Sequence, residues 1–166
     1  MSDKRRIQTS TTRMKALKDH IDEALKIGKN ISKFSTYSCQ PKTTKELKQI
    51  IEERISKEGP NCDLNDIDVS LITDMYGLFY GSKFNGDISR WDVSNVEDMI
   101  EMFYSSSFNG DISKWDVRNV KHMAYMFLCS KFNQDISKWK IDEECDTDGM
   151  FFDCHIKEEF KPKGVK

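Results

Sequence analysis

Residues 84–107, FNGDISRWDVSNVEDMIEMFYSSS, are followed directly by FNGDISKWDVRNVKHMAYMFLCSK at 108–131. The same 24-residue frame takes in PNCDLNDIDVSLITDMYGLFYGSK at 60–83 and FNQDISKWKIDEECDTDGMFFDCH at 132–155, so four copies tile 60–155 without a gap. A fixed period of this length restricts the fold more than any other feature of the chain. No single copy carries enough apolar surface to form a core, and each must bury its apolar positions against the next copy.

Aligned on one another, the copies separate core from surface. Asn61, Asn85, Asn109 and Asn133 form one invariant polar column, and Asp63, Asp87, Asp111 and Asp135 a second. Apolar character is held by Leu64/Ile88/Ile112/Ile136, by Ile67/Trp91/Trp115/Trp139 and by Val69/Val93/Val117/Ile141. It is held again by Met75/Met99/Met123, by Leu78/Met102/Met126/Met150 and by Phe79/Phe103/Phe127/Phe151, while Phe84, Phe108 and Phe132 open their copies. Trp91 and Val93 alternate with Asp92 and Ser94, the period of a half-buried strand. Val96, Met99, Met102 and Phe103 then follow the period of a helical turn, which Ser94 and Glu97 are spaced to cap. Asn-Gly at 85–86 and 109–110 supplies a tight turn with positive φ. Each copy is expected to be a strand, a helical turn and a bend.

The string F-N-x-D-I-S-x-W-D-V-S-N-V-x-x-M-x-x-M-F resembles the BspA-like leucine-rich repeat, a family met in bacterial surface proteins and in mycoplasma proteins of unknown function. The resemblance covers 60–155. It departs from ordinary leucine-rich spacing, because Ile72, Val96 and Val120 stand where an Asn or Cys turns the chain. Periodicity and resemblance together predict an α/β repeat solenoid, leucine-rich-repeat-like, of four 24-residue coils of short strand plus helical turn with an N-terminal α-helical region. The resemblance implies a recognition scaffold and no chemistry.

Outside the repeats, residues 1–10 read as disordered and 11–59 as a basic helical region that caps the stack. A helix is predicted from Thr11 to Lys29 on the stripe Met14, Leu17, Ile21, Ala24, Leu25 and Ile27, and another from Thr44 to Lys57 on Leu47, Ile50, Ile51 and Ile55, ended by Gly59-Pro60. Residues 156–166 read as a tail that leaves the domain. Charge is divided along the chain: 1–50 hold twelve Lys and Arg against five acids, a net of +7, and 51–166 hold fourteen against twenty-three, a net of −9. A basic segment beside an acidic body fits an anionic partner. The first residues lack the apolar stretch of a secretion signal and no segment reaches the length of a membrane span, so the expected location is cytoplasmic with no membrane partner.

No nucleophile motif, phosphate loop or zinc signature is present, and His20 and His122 lie at polar positions, so neither an enzyme nor a cofactor nor a metal is expected. Cys39, Cys62, Cys129, Cys145 and Cys154 are odd in number and without C-x-x-C spacing, and read as free thiols. The Asn and Asp columns read as turn caps, Asn to the backbone of its own bend and Asp to the amide of the following Ser, instead of calcium ligands. The Trp column reads as core, with its indole N–H groups bonded to backbone.

The outward face of the expected strands remains as the place for a protein partner. Its columns hold Asp66, Arg90, Lys114 and Lys138, then Asp68, Asp92, Asp116 and Lys140, with Arg118 beside them. The expected function is a non-catalytic protein-interaction module, an inhibitor or adaptor such as a phage or mobile-element anti-defence inhibitor. One alternative is nucleic-acid binding through Lys4, Arg5, Arg6, Arg13, Lys15 and Lys18. Another is a surface adhesin-like repeat fragment.

Overall fold

The computed structural model describes residues 37–165. The expected disorder of 1–10, the helix from Thr11 to Lys29 and the six basic residues from Lys4 to Lys18 lie outside the described residues.

Helix α1 spans Thr44–Glu58, one residue beyond the predicted end. Thr43 caps it by accepting from the Glu46 amide at 3.2 Å, and the Glu46 carboxylate accepts from the Lys42 amide at 2.8 Å. Two otherwise orphaned donors of the chain entering the helix are satisfied in this way. Gly59 ends it at φ +90°, returning its N–H to the Ile55 carbonyl. Leu47 and Ile51, four apart, are fully buried on the core of the first copy.

The expectation of an α/β repeat solenoid is overturned. Among the described residues α1 is the one α-helix, a 3₁₀ turn covers Glu158–Phe160, and backbone pairing is confined to isolated parallel bridges with no sheet. The hydrogen bonds give the reason. Along 75–82, the amides of Leu78, Tyr80 and Ser82 close local turns on Met75, Gly77 and Phe79, whereas those of Met75, Gly77, Phe79 and Gly81 cross to the carbonyls of Asp98, Ile100, Met102 and Tyr104 in the next copy. A helix needs every amide within the segment and a strand needs none of the turns, so alternate use of the two forms neither. The backbone reverses hand at two positions per copy: Gly77, Glu101, Tyr125 and Gly149, and Gly81, Ser105, Cys129 and Asp153, all with φ between 50° and 62°. Around Trp91 the alternation of buried and exposed side chains holds, but turns closed by the Trp91 and Val96 amides cut it short. Ser94 donates to Asp92 from both its amide and its hydroxyl, and caps no helix.

The copies stack as turn-built coils, each residue beside its equivalent. Phe79, Phe103, Phe127 and Phe151 lie in a row with ring centroids 5.4, 5.4 and 5.7 Å apart, and Phe84, Phe108 and Phe132 in a second row at 6.0 and 6.3 Å. The rows interleave at 4.3–4.8 Å. These near-parallel rings are the centre of the core, and offset packing of this kind adds to what their buried area already contributes. Trp91, Trp115 and Trp139 are buried, and each indole N–H donates to a carbonyl of the preceding coil, Leu64, Ile88 and Ile112, at 2.9–3.2 Å.

Side chains satisfy the corners. Asp63, Asp87, Asp111 and Asp135 each accept from the amide two residues on, as expected, and so do Asp68, Asp92 and Asp116 and then Asp74, Asp98 and Asp146. Ser82, Ser106 and Ser130 accept from the amides of Phe84, Phe108 and Phe132. The Asn column works differently from the turn role expected of it. Asn85 accepts from the Asn109 amide, Asn109 from Asn133 and Asn133 from Lys157, so these side chains tie one coil to the next. Gly86 and Gly110 are likewise not positive-φ residues. A Cβ on Gly86 would lie 1.9 Å from the Cys62 carbonyl oxygen, so this glycine serves the close approach of two coils.

Residues 156–165 continue the stack for part of a turn. Ile156 is buried, the Ile136 amide donates to the Phe160 carbonyl, and Lys161 Nζ lies 5.6 Å above the Phe151 ring.

Candidate interaction surface

The face expected to bind a partner is divided. Asp66 and Asp68, in the first coil, are already occupied. Arg54 of α1 reaches Asp66 at 3.0 Å and the Asp63 carbonyl at 2.9 Å, and Ser38 and the Arg54 guanidinium hold the Asp66 carboxyl below its usual range. Gln40 donates to Asp68 at 2.6 Å, and the backbone of Ser38 and Cys39 exchanges hydrogen bonds with Asp66 and Asp68. The chain's own segment before α1 lies along this part of the face.

Beyond the first coil the face is open and carries mostly positive charge. Arg90, Lys114, Lys138 and Lys140 are exposed. Arg90 stands 3.9 Å from Asp63, and no ion pair takes up Lys114, Lys138 or Lys140 among the described residues. Asp92 is spent on the Ser94 turn. Asp116 and Arg118 close on each other at 2.7 and 2.8 Å, and the guanidinium pulls the Asp116 carboxyl down to about 2. The predicted residues are thus brought to one side of the stack, but as a covered acidic end followed by an open basic stretch.

A second surface lies on the segment that was expected to be helical. Tyr80, Tyr104, Leu128 and Phe152 occupy one column, one residue per coil, and none is buried; Tyr80 is 54% and Phe152 70% exposed. Tyr80 and Tyr104 stack at 4.7 Å with their rings 4° from parallel. Tyr76 and Tyr125 flank the row with their hydroxyls on Glu101 and Asp148, and these carboxylates raise both phenols above their usual range. The Phe79 and Phe84 rows already fill the core, so this apolar column is surplus to folding. Singly exposed apolar side chains are ordinary, whereas a contiguous row marks a contact surface. Sequence reasoning passed over it, since this column was not among those singled out. The available signal was its place directly after the two buried columns Leu78/Met102/Met126/Met150 and Phe79/Phe103/Phe127/Phe151, where a third consecutive apolar residue has no room left inside the coil.

The five cysteines are free thiols. Burial pushes Cys145 up to about 11, with Asp146 and Asp142 adding to the effect, and burial also raises Cys62; at the exposed Cys129 partial loss of hydration and the Asp153 carboxylate act in the same direction. Those three thiols are thereby kept from the thiolate form a nucleophile needs. No helix among the described residues is long and apolar enough to cross a membrane.

Residues 45–161 match the model of a family described as Mycoplasma protein of unknown function, DUF285. The match runs from α1 through all four coils into the tail. No curated protein and no solved structure matches the chain.

Proposed function

From the premise that this chain belongs to the mycoplasma family DUF285, we propose that it is a non-catalytic protein-interaction module that acts inside the cell by covering part of a partner protein's surface. The observation that carries this reading is the row Tyr80, Tyr104, Leu128 and Phe152, exposed at Tyr80 and Phe152 and half-buried at Tyr104 and Leu128. Aromatic side chains give large contact area for little conformational entropy, and Tyr is enriched where interfaces concentrate their binding energy. The coil stack supplies the rigidity. Each aromatic is fixed relative to the next by the backbone bonds that join the coils, so little ordering remains to be done on binding. The partner is a folded protein with an apolar groove or face, and the open cations Lys114, Lys138 and Lys140 take no part in this contact.

The test compares two triple variants of the full chain in their recovery of a partner from host-cell lysate. Replacing Tyr80, Tyr104 and Phe152 by Ser is expected to abolish recovery of a protein that the parent retains. Replacing Lys114, Lys138 and Lys140 by Ser is expected to leave it. Circular dichroism and melting must show both variants folded. Equal recovery by the Tyr80/Tyr104/Phe152 variant refutes the aromatic surface.

A further inference from the structure

The bonds that join the coils are regular until they stop. At each junction four amides of one coil donate to four carbonyls of the next: Met75, Gly77, Phe79 and Gly81 at the first, Met99, Glu101, Phe103 and Ser105 at the second, Met123, Tyr125, Phe127 and Cys129 at the third. The equivalent amides of the fourth coil belong to Thr147, Gly149, Phe151 and Asp153. They donate to nothing among the described residues. The tail covers a different part of this end, through Ile156, the Phe160 carbonyl and Lys161. A row of unpaired backbone donors on alternate residues is an edge open to the carbonyls of an added chain, as each earlier coil's row is filled by the carbonyls of the next.

Charge selects what the edge receives. Between 142 and 153 the sequence holds six carboxylates and no Lys or Arg. Asp142, Glu143, Glu144, Asp146, Asp148 and Asp153 enter no ion pair among the described residues. Elsewhere Lys121 lies 2.7 Å from Glu97, and the third coil carries enough cations to balance its acids. The fourth does not. A second copy of this chain is the obvious rival occupant, since the carbonyls of Tyr76, Leu78 and Tyr80 in the first coil accept nothing and continue the same pattern. That coil, however, carries Asp63, Asp66, Asp68 and Asp74 against the single cation Lys83, and would set like charge against like.

We infer that the open edge of the fourth coil takes up a lysine- or arginine-rich segment of a partner protein. The segment's carbonyls accept from Thr147, Gly149, Phe151 and Asp153, and its cations face Asp146, Asp148 and Asp153. It forms the layer that a fifth coil would have formed. The inference stands apart from the aromatic row, since it rests on the backbone donors and carboxylates of the fourth coil and not on Tyr80 or Tyr104.

The experiment follows amide hydrogen exchange in the full chain on titration with two synthetic eight-residue peptides, one alternating Lys and Thr, the other Glu and Thr. The Lys-Thr peptide is expected to slow exchange at Thr147, Gly149 and Asp153 by roughly tenfold or more, a shift of about 1.4 kcal/mol. Met123, Tyr125 and Cys129, already bonded, are expected to stay unchanged. The variant D146N/D148N/D153N keeps the acceptors used by Tyr125 and by the Asp148 amide, and is expected to bind the Lys-Thr peptide roughly tenfold more weakly. Equal protection by the Glu-Thr peptide, or none by either, overturns the inference. So does protection of these amides that rises with protein concentration alone, which assigns the edge to a second copy.

Discussion

Gly86 and Gly81 are both glycines in a repeat, but for different physical reasons, and substitution separates them. At Gly86 φ is ordinary and space is absent: a Cβ meets the Cys62 carbonyl oxygen at 1.9 Å and the Phe84 ring at 2.7 Å. Gly86→Ala must push two coils apart, and is expected to lower unfolding stability by about 3 kcal/mol in urea denaturation. At Gly81 space is open and φ is +62°. Its equivalent Ser105 holds the same left-handed backbone at φ +50° with a side chain that costs energy there. Ser105→Gly is therefore expected to stabilise by about 0.5–1 kcal/mol, the relief of strain less the entropy glycine adds to the unfolded chain. A loss on Ser105→Gly would show that the hydroxyl matters more than the backbone. Asp116 adds a dependence on acid. Its folded pKa, about 2, lies below the value of an unfolded Asp, so its contribution is present above about pH 4 and is lost as pH falls through about 2. Asp116→Asn is expected to remove that part of the acid-induced slope, lowering the melting temperature near pH 7 and leaving it little changed below about pH 2.

At the scale of elements, what was legible depended on whether a pattern was local or shared between copies. Helix α1 could be read to within one residue because its signals are its own: Leu47, Ile50, Ile51 and Ile55 along one side and Gly59-Pro60 after it, with the Thr43 cap added by the structure. Thr43→Ala is expected to cost about 1 kcal/mol through the lost bond to the Glu46 amide, seen in the same denaturation measurement. The buried columns of the repeat were also legible, since burial follows period whatever the backbone does. The backbone itself was not. Val96, Met99, Met102 and Phe103 satisfy a helical period, but every second amide between 99 and 105 is taken by the neighbouring coil, a fact that no window inside one copy contains. Two left-handed positions per copy could have warned against a helix had glycine filled them throughout. Only Gly77, Gly81 and Gly149 advertise them, while Glu101, Ser105, Tyr125, Cys129 and Asp153 do not. The candidate surface was legible in part for the same reason. Period placed Arg90, Lys114 and Lys138 on one side, but the covering of Asp66 and Asp68 by Arg54 and Gln40 comes from outside the repeat, and an outward Tyr80 row depends on turns that were read as helix.

For the molecule from α1 to Val165, the two ends of the stack are not equivalent. The first coil is held by Leu47, Ile51, Arg54 and Thr44, the last of which donates to the Asp74 carbonyl at 2.6 Å. The fourth coil has only the tail. In a stack where each copy is supported by its neighbours, stability is a sum of junctions, and a copy with one good junction opens before a copy with two. Truncation after His155 removes the cover that Ile156 and Phe160 give the last junction, and Ile156 alone is worth about 1.5–3 kcal/mol of burial. Amide exchange in the truncated protein is expected to quicken first at Met150, Phe152 and Cys154, whose amides close local turns in the fourth coil, while Leu78, Tyr80 and Ser82 keep the rates of the full chain. Uniform quickening across all four coils would mean instead that the stack opens as one unit. The tail would then secure every junction together, and binding at the fourth coil's edge would stabilise the aromatic row from one end to the other.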